Sequence, residues 1–348
     1  AGPCRVTAPG RRESMKVLVT GGGGFLGRRI VELLVERGDE VTFLARGSYP
    51  EVEALGAHGL QIDLRDAEAV STAVHGHDAI IHVAAKAAPL NGAYEEFRSI
   101  NVDGTRNLLD AAEQHDVPRF IYTSTPSVIG MAHDSENAPQ DTPYADEYWA
   151  PYPETKAEAE RMVLAANSAH IATVSLRPHL IFGPHDNNLM PRVVERAKSG
   201  RLPIIGEGTN TVDMTYVDNA AWAHLDALDT LEGPGAACAG KAYFISNDDP
   251  VDLWPWLNGF FEDLGVPPAK RRVSLGLATT LGNIMEFAYS TLPLKGEPRM
   301  TKFLAAGLAK SHWYDMGPAK ADFGYHIRVP MDEGKARTVA WFKEAGLV

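Results

Sequence analysis

A glycine-rich turn between a strand pattern and a helix pattern constrains this chain more than any other feature. Residues 15–27 read MKVLVTGGGGFLG, and residues 17–19 form the short β-branched and apolar run that is typical of a strand buried on both faces. In the following RRIVELLVERG, Ile30, Leu33 and Leu34 fall on one helical face. Strand, glycine turn and helix in this order predict a dinucleotide-binding site.

The glycine spacing suits a pyrophosphate. Gly21, Gly24 and Gly27 recur at every third position, and glycine lets the backbone turn tightly and approach a phosphate without a Cβ atom in the way. The N–H groups at the start of the helix, from Phe25 and Leu26 onward, would then face the phosphates. A glycine-rich turn without a ligand is the alternative, but the flanking strand and helix favour a cofactor site.

The composition narrows the class of protein. The 348 residues are 45% hydrophobic, which suffices for one large α/β domain or two smaller ones. The formal net charge of -12 argues against non-specific binding to nucleic acid or anionic lipid, although a local basic patch is not excluded. Cys4 and Cys238 offer neither a disulfide framework nor a cysteine-based zinc spacing, which fits a reducing cytoplasm.

Two segments resemble targeting or membrane sequences but lack the required features. Residues 1–14 have no apolar core, so they are not a secretory signal; we interpret them as an expression remnant or a loose leader, with a natural start near Met15. Residues 275–294 form the most apolar long window, yet they contain Asn283 and Glu286. We therefore expect a buried or surface-lying helix there and no transmembrane segment.

Residues at the ends of the next predicted strands indicate which dinucleotide binds. An NAD site usually carries an acid about 20 residues after the glycines, whereas this chain has Arg46. Arg46 could pair with a 2′-phosphate that an acid would repel, so NADP(H) is predicted; a solvated surface arginine is the alternative. Asp63 and Leu64 end the third strand, and Asp63 could accept a hydrogen bond from the adenine amino group. The small Ala84 and Ala85 end the fourth and leave room for the cofactor.

Strand and helix patterns alternate as far as Pro184, which predicts a doubly wound parallel α/β sheet of the Rossmann type. We assign residues 15–185 to an NADP-binding domain. Residues 186–348 are predicted to form a smaller substrate-binding region that is interleaved with the main sheet, to which it returns near residues 216–217 and 243–245. Between them, residues 131–150 are predicted to form a loop.

Tyr152 and Lys156 are spaced four residues apart in a predicted helix and therefore share one face. The lysine charge is expected to lower the tyrosine pKa from about 10, so that Tyr152 can exchange a proton with an alcohol oxygen near neutral pH. Lys156 can also reach the ribose hydroxyls of a nicotinamide nucleotide. The fifth strand ends in hydroxyl residues at 123–127, one of which could polarise a carbonyl group. Tyr-x-x-x-Lys alone is a weak signal, but its order after the glycine turn and the hydroxyl-rich strand favours catalysis.

Together, TGGGGFLG, HVAA, YTSTPSV, PYPETK and LRPHLIFGP resemble the extended short-chain dehydrogenase/reductase family, and within it the 3β-hydroxysteroid dehydrogenase-like branch. The resemblance covers residues 15 to about 325. It implies a Rossmann fold, a nicotinamide cofactor and a Ser/Thr–Tyr–Lys active site, in which the hydroxyl falls on Thr125, with Ser124 as the alternative. It also places Arg177 and Pro178 beside the nicotinamide end of the cofactor.

A second set of motifs is similar to the bacterial reductases of long-chain olefin biosynthesis, namely YTSTPSV, APY-x-x-TK, LRP-x-LI-x-GP, GKAYFISN and HWYDM-x-PA-x-x-DFGY. This resemblance implies reduction of a long-chain 2-alkyl-3-oxoalkanoic acid to the 3-hydroxy acid. The window at 275–294 would then bind alkyl chains or approach another enzyme of the pathway, and we expect a homodimer. A sterol or steroid 3β-dehydrogenase and a noncatalytic NADP-sensing scaffold remain as alternatives.

Other polar residues give weaker signals. His179, His185 and Asp186 surround one turn and could suggest a metal, but relatives need none and a polar loop is the favoured interpretation. Arg192 and Arg196 lie on a predicted helix, where they could meet a substrate carboxylate or form a solvated face.

Overall fold

The structure of the chain, a computed structural model, describes residues 14–87, 93–292 and 298–348. Residues 1–13 of the predicted leader and residues 293 and 294 of the apolar window lie outside the described residues. The strands are β1 Lys16–Thr20, β2 Glu40–Ala45, β3 His58–Gln61, β4 Ala79–His82, β5 Arg119–Thr123, β6 Ser135–Ala138, β7 Ala172–Pro178, β8 Ile181–Phe182, β9 Ile204–Ile205, β10 Thr211–Val212, β11 Thr215–Tyr216, β12 Lys241–Ile245, β13 Val251–Asp252, β14 Arg272–Val273 and β15 His312–Tyr314.

The helices follow the strands in regular alternation through the first half of the chain. A π-helical segment, Ser99–Asp103, and a 3-10 turn, Pro126–Ile129, interrupt this pattern. The α-helices are α1 Phe25–Glu36, α2 Pro50–Glu53, α3 Ala67–Val74, α4 Tyr94–Arg98, α5 Gly104–Gln114, α6 Pro151–Ala165, α7 Leu189–Lys198, α8 Val217–Thr230, α9 Leu253–Asp263, α10 Leu275–Thr291, α11 Lys302–Ala309, α12 Gly317–Phe323 and α13 Met331–Glu344.

Seven parallel strands form the central sheet in the order β12-β7-β5-β4-β1-β2-β3. The predicted doubly wound parallel sheet is therefore confirmed. The chain builds outward from β1 to β3 and then crosses back to β4 on the other side of β1. Because the connections leave in opposite directions there, the carboxyl ends of β1 and β4 border the crevice in which such sheets bind ligands.

The central sheet is buried on both faces. Val17 and Val19 belong to one hydrophobic cluster and Leu18 to another, as the alternation of side chains along a strand requires. On one face α1 packs against α8, and on the other α5 packs against α3 and α6. This double burial explains why the strands read as continuous apolar runs.

The second half of the chain confirms one predicted return to the main sheet and contradicts the other. β12, Lys241–Ile245, pairs with β7 as the seventh strand. The prediction for residues 216–217 is wrong, because β11 pairs only with β8 in a separate two-stranded sheet and Val217 begins α8. Leu180, at φ +40°, has already turned the chain out of the main sheet before β8.

The segment at 131–150 is not entirely irregular, because its β6 pairs with β15 in a four-stranded sheet. Ser274 caps α10 by accepting the N–H of Leu277. α10 lies on the surface and packs against α11. A surface-lying helix was one of the two predicted alternatives. Among the described residues, every helix is too short or too polar to cross a membrane.

Candidate active site

The glycine turn after β1 is shaped by contacts that only glycine permits. Gly21 has φ +72° and donates its N–H to the carbonyl oxygen of Leu44 at 2.7 Å. A Cβ atom on Gly21 would lie 2.9 Å from the backbone of Ala84, and one on Gly27 would lie 2.1 Å from the carbonyl oxygen of Gly21. The turn therefore brings the start of α1 against the carboxyl ends of β1 and β4.

The first turn of α1 is suited to an anion. Gly24 occupies the N-cap and offers no side-chain cap, and the first turn contains no acidic residue. The N–H groups from Phe25 and Leu26 onward thus keep the positive end of the helix dipole without a carboxylate beside it. The ring of Tyr49 covers Gly23, since a Cβ atom there would lie 2.4 Å from that ring. These features fit the pyrophosphate of a dinucleotide.

A buried relay of hydrogen bonds fixes the backbone of Ala84. Thr105 donates its hydroxyl to the carbonyl oxygen of Asn101 at 2.6 Å, so its oxygen accepts from Nε2 of His82 at 2.9 Å. Nδ1 of His82 then accepts the hydroxyl of Thr20 at 2.6 Å, and the Thr20 oxygen accepts the N–H of Ala84 at 3.1 Å. Burial holds the pKa of His82 well below its usual range and keeps the ring neutral.

At the far end of the crevice, Arg65 is paired with the carboxylate of Asp63, on which the charge of Arg46 also acts. β3 ends at Gln61, so Asp63 and Leu64 lie in the turn beyond the strand and do not end it. Asp63 accepts from Nε and Nη2 of Arg65 at 2.9 and 2.5 Å, and these bonds lower its pKa to about 2, with a smaller contribution from the charge of Arg46. Arg46 itself is exposed immediately after β2. Arg65 is a contributor that sequence reasoning missed.

The structure brings Thr125 and Tyr152 together. Tyr152 lies in the first turn of α6, one turn before Lys156 as predicted, and it is half-buried. Thr125 follows β5 and caps the 3-10 turn by accepting the N–H of Ser127 at 3.3 Å. The Thr125 side chain lowers the pKa of Tyr152, while its own side-chain hydrogen bond, 3.1 Å long, joins it to the hydroxyl of Ser127. Thr125 and Tyr152 offer two hydroxyl groups to one substrate oxygen.

The prediction that the tyrosine pKa is lowered by Lys156 is wrong for Tyr152. Burial raises the pKa of Tyr152 to about 12, because its effect outweighs the lowering by the Thr125 side chain. Burial also lowers the pKa of Lys156 to about 7, although the charge of Glu160 raises it. Both charged forms lose solvation in the same enclosed site, so a partly neutral lysine does not depress the tyrosine pKa. Tyr152 is consequently protonated at neutral pH.

Lys156 is fixed by its surroundings. Its Nζ donates to the carbonyl oxygen of Thr123 at 2.6 Å and lies 4.0 Å from the centre of the Tyr122 ring. The Nδ1 of His224 bonds the carbonyl oxygen of Ala220 at 2.7 Å, so its Nε2 accepts the Thr123 hydroxyl at 2.8 Å. α8 thereby supports the end of β5 from below the site.

Behind Lys156, the buried carboxylate of Glu160 joins α6 to β7 and to the loop that contains Tyr144. It accepts from Nη2 of Arg177 at 2.6 Å, from the hydroxyl of Tyr144 at 2.7 Å and from that of Ser175 at 2.8 Å. Although burial raises the pKa of Glu160, the charge of Arg177 and the hydrogen bonds from Arg177 and Tyr144 bring it below its usual value. Ser124 lies nearby, but its buried hydroxyl makes no hydrogen bond within the described residues. Arg177 and Pro178, which are predicted to lie beside the nicotinamide, end β7. Because the Arg177 guanidinium is bonded to Glu160, that prediction applies to the strand end and not to the guanidinium.

The other polar candidates have structural partners. Nδ1 of His179 bonds the carbonyl oxygen of Asp213, and Asp186 accepts three N–H groups at the start of α7. In the part of the chain that the structure describes, no group of three His, Cys, Asp or Glu side chains is arranged to hold a metal ion. Arg192 and Arg196 both lie on α7 and both have interaction partners.

A small cleft opens where the 3-10 turn that follows Thr125, the 131–150 segment, the first turn of α6 and α11 meet. Aromatic and apolar side chains provide most of its wall. It is lined by Ser127, Gly130, Met131, Ala132, Glu147, Tyr148, Trp149, Pro153 and Phe303.

Comparison with known proteins supports the resemblance seen in the motifs. The model of the 3-beta hydroxysteroid dehydrogenase/isomerase family matches residues 18–276, which is most of the chain. The chain belongs to this family. As a family member it is an oxidoreductase of the short-chain dehydrogenase/reductase type, acting on a CH–OH/C=O pair with a nicotinamide cofactor.

Relatives of this family member cover nearly its whole length. A 2-alkyl-3-oxoalkanoate reductase of Stenotrophomonas maltophilia (strain K279a) is 48% identical over 94% of this chain and 99% of its own. The protein of the same name from Shewanella oneidensis is 42% identical over 92% of this chain and 85% of its own. The 3beta-hydroxysteroid-dehydrogenase/decarboxylase isoform 1 of Arabidopsis thaliana is 33% identical over 93% and 79%, respectively.

Solved structures share the fold of this family member. MoeE5 in complex with UDP-glucuronic acid and NAD superimposes with a TM-score of 0.73 over 95% of this chain and 99% of that one, at 23% sequence identity. Likeness at this level of identity is one of fold.

Proposed function

We propose that this chain is an NADP(H)-dependent reductase of long-chain 2-alkyl-3-oxoalkanoic acids, which it converts to 2-alkyl-3-hydroxyalkanoic acids in olefin biosynthesis. The relatives at 48% and 42% identity carry the name of this activity and align over nearly the whole chain. The observation in the site that carries the proposal is the hydroxyl pair of Thr125 and Tyr152, in which Tyr152 holds a proton at neutral pH.

Each residue of the site has a role in this reduction. Thr125 orients the substrate carbonyl, and Tyr152 donates its proton to the carbonyl oxygen as the alcohol forms. Lys156, held by Thr123, reaches the ribose hydroxyls, and its protonated form balances the charge of the tyrosinate left by Tyr152. A bound nicotinamide dinucleotide supplies the hydride to the ketone carbon. A raised tyrosine pKa suits this direction, because a reductase needs a proton donor that is protonated before turnover.

The cofactor is held by the groups that line the crevice. Gly21, Gly24 and Gly27 admit the pyrophosphate, and Ala84 and Ala85 leave space beside the carboxyl end of β4. The preference for NADP(H) rests on the adenosine end. No acid stands directly after β2, where Arg46 is exposed, and the nearby Asp63 is bonded to Arg65. Two cations that act on one carboxylate leave positive charge for a 2′-phosphate.

The substrate class follows from the cleft and the relatives. Met131, Trp149 and Phe303 give apolar contact area beside the proton donor, as long alkyl chains require. A sterol 3β-dehydrogenase is the second candidate, which the Arabidopsis relative at 33% identity favours. A noncatalytic NADP-sensing scaffold would need neither Thr125 nor Tyr152. We further propose that residues 15–185 bind the cofactor, that residues 186–348 complete the substrate site, to which they contribute Phe303 of the cleft, and that the protein is a homodimer.

Oxidation of NADPH, followed at fixed protein concentration, tests the proposal with three classes of substrate. A freshly prepared 2-alkyl-3-oxo acid should be reduced faster than a 3-ketosteroid, and a UDP-sugar should not react. The control is Tyr152→Phe, which should be inactive toward all three. Preference for the steroid would support the second candidate, and no reaction with any ketone would favour the scaffold.

A further inference from the structure

The small cleft is joined to the hydroxyl group of Thr125 through Ser127. The Ser127 side chain lines the cleft and lies 3.1 Å from the Thr125 hydroxyl. The empty space in the cleft is about 240 Å³, which is below the roughly 300–1,000 Å³ of most small-molecule pockets. A substrate group that enters the cleft therefore contacts several walls at once, and a charge held at one wall acts on it.

Lys302 holds a positive charge against the wall of this cleft. Its Nζ lies 3.7 Å from the centre of the Trp149 ring, which lines the cleft, and Phe303, the next residue of α11, lines it as well. Glu286 fixes the backbone at this point by accepting the N–H of Lys302 at 3.2 Å. The ammonium group is therefore held at the start of α11 by the face of an aromatic ring, which attracts a cation.

The ammonium group of Lys302 is not used in an ion pair within the residues that the structure describes, since none of their carboxylate oxygens lies within 4.0 Å of Nζ. Burial raises the pKa of Glu286, and the charge of Lys302 offsets this only in part, because that carboxylate is bonded to the backbone N–H. Lys310, at the other end of α11, differs in this respect, because its Nζ lies 3.9 Å from the carboxylate of Asp134. The charge of Lys302 is thus available to a ligand.

An acid on the cleft wall makes a cation necessary for an anionic substrate. Glu147 lines the cleft and is exposed, so it repels a carboxylate that enters. A 2-alkyl-3-oxo acid carries its carboxylate on the carbon next to the ketone, so the two groups must enter together. A carboxylate can draw Lys302 away from Trp149, because a charge-assisted hydrogen bond is stronger than a partly exposed cation–π contact.

Arg161 is another cation that lies beside a residue of the cleft wall. Its guanidinium is 4.1 Å from the centre of the Tyr144 ring, and its charge acts on Tyr148, whose pKa is raised by burial. We favour Lys302 because it is adjacent to two lining residues, one in contact with its ammonium group and one next to it in the chain.

We propose that Lys302 recognises the substrate carboxylate. Its ammonium group leaves the face of Trp149 and pairs with the carboxylate while the ketone lies at Thr125 and Tyr152. Lys302 acts in binding alone, since no bond is made or broken in this step. The inference rests on the proposed function and adds to it a reason why acids are preferred to neutral ketones and alcohols.

Reverse oxidation by NADP+ of a long-chain 2-alkyl-3-hydroxy acid and of its primary amide tests this inference. The two compounds share both chains and differ in the charge that Lys302 would bind. The wild type should show the higher kcat/KM with the acid. Lys302→Met should lower that value by roughly 10- to 100-fold, as the loss of a charge-assisted hydrogen bond predicts, and leave the value for the amide unchanged. Lys302→Arg should restore most of the loss, and Glu147→Gln should raise kcat/KM for the acid alone.

Lys310→Met removes the same charge from the other end of α11 and should affect neither compound. Circular dichroism and NADPH affinity should be unchanged in all these variants. Equal losses with acid and amide in Lys302→Met would overturn the inference, as would a loss of the preference for the acid in Arg161→Met in place of Lys302→Met. A wild type that oxidises acid and amide equally would overturn the inference and leave the proposed function standing, whereas one that oxidises neither would overturn both.

Discussion

The Nζ atom of Lys156 donates a 2.6 Å hydrogen bond to the carbonyl oxygen of Thr123. This bond joins α6, which carries Tyr152, to the end of β5, two residues before Thr125. The proton donor and the hydroxyl group beside it are therefore held by one connection between a helix and a strand. His224 on α8 supports Thr123. The positions of the active-site residues therefore depend on packing beneath the site as well as on contacts within it.

Tyr152→Phe should remove the proton donor and retain the packing of the ring. We expect kcat to fall by roughly 10² or more, with NADPH affinity unchanged. Steady-state kinetics and a cofactor titration measure the two effects. Tyr243→Phe is the matched control, since that hydroxyl bonds the carboxylate of Asp322 on α12 and takes no part in the site. Near-normal turnover in Tyr152→Phe would remove this residue from the mechanism.

Variants of Thr125 and Ser124 should differ in kcat in the same assay. Thr125→Val keeps the shape of the side chain but loses the hydroxyl that meets Tyr152, so kcat should fall by about 10²–10³. Thr125→Ser should restore most of the activity. Ser124→Ala removes a buried hydroxyl that makes no hydrogen bond within the described residues, so kcat should change little. The reverse order of effects would assign the catalytic hydroxyl to Ser124.

Arg46→Asp should replace attraction for a 2′-phosphate with repulsion. The loss of NADPH binding is expected to be about 1.5–3 kcal/mol, the contribution of a charge-assisted hydrogen bond, with NADH binding unchanged or improved. Isothermal titration of both cofactors measures the difference. Arg201→Asp makes the same charge change at an exposed position after α7 and should have no effect. Equal NADPH affinity in Arg46→Asp and the wild type would contradict the proposed preference.

The buried histidines should make the fold sensitive to acid. Burial lowers the pKa of His224 from 6.5 to about 4, so the unfolded chain binds its proton first as the pH falls. Stability is therefore lost as the pH falls through about 6.5 and continues to fall toward pH 4, with a loss on the order of 1 kcal/mol at pH 5.5.

Urea unfolding at about pH 7.5 and pH 5.5 measures this loss. His224→Gln should lose less stability than the wild type between the two conditions, since glutamine does not titrate. His133→Gln, at an exposed position, should behave like the wild type. An identical pH dependence in His224→Gln and the wild type would show that this ring does not titrate as argued.

The sequence predicted the parts of the molecule that depend on local pattern. Alternating strand and helix patterns predicted the parallel sheet, and the four-residue spacing placed Tyr152 and Lys156 on one helix. The relay through His82 was not predictable, because its partners Thr20 and Thr105 are 62 and 23 residues away and carry no distinctive spacing.

The solvation of side chains was the second property that the sequence could not predict. The expected lowering of the Tyr152 pKa assumed a charged lysine in a polar setting, whereas burial of both groups reverses the result. Burial depends on how α6 packs against β5 and β7, and no local pattern encodes it. For the same reason the apolar window of α10 could be predicted as a helix, while the solvent exposure of its apolar side chains required the structure.

The most direct measurement of the central claim is oxidation of 2-alkyl-3-hydroxy acids with NADP+, run as the reverse reaction because β-keto acids lose CO2 spontaneously. Each additional buried methylene contributes about 0.8 kcal/mol, so kcat/KM should rise by up to about fourfold per methylene until the cleft is filled. The gain should appear on both the 2-alkyl and the 3-hydroxyalkyl chain. No oxidation of these acids at any chain length, together with rapid oxidation of a 3β-hydroxysterol, would contradict the account.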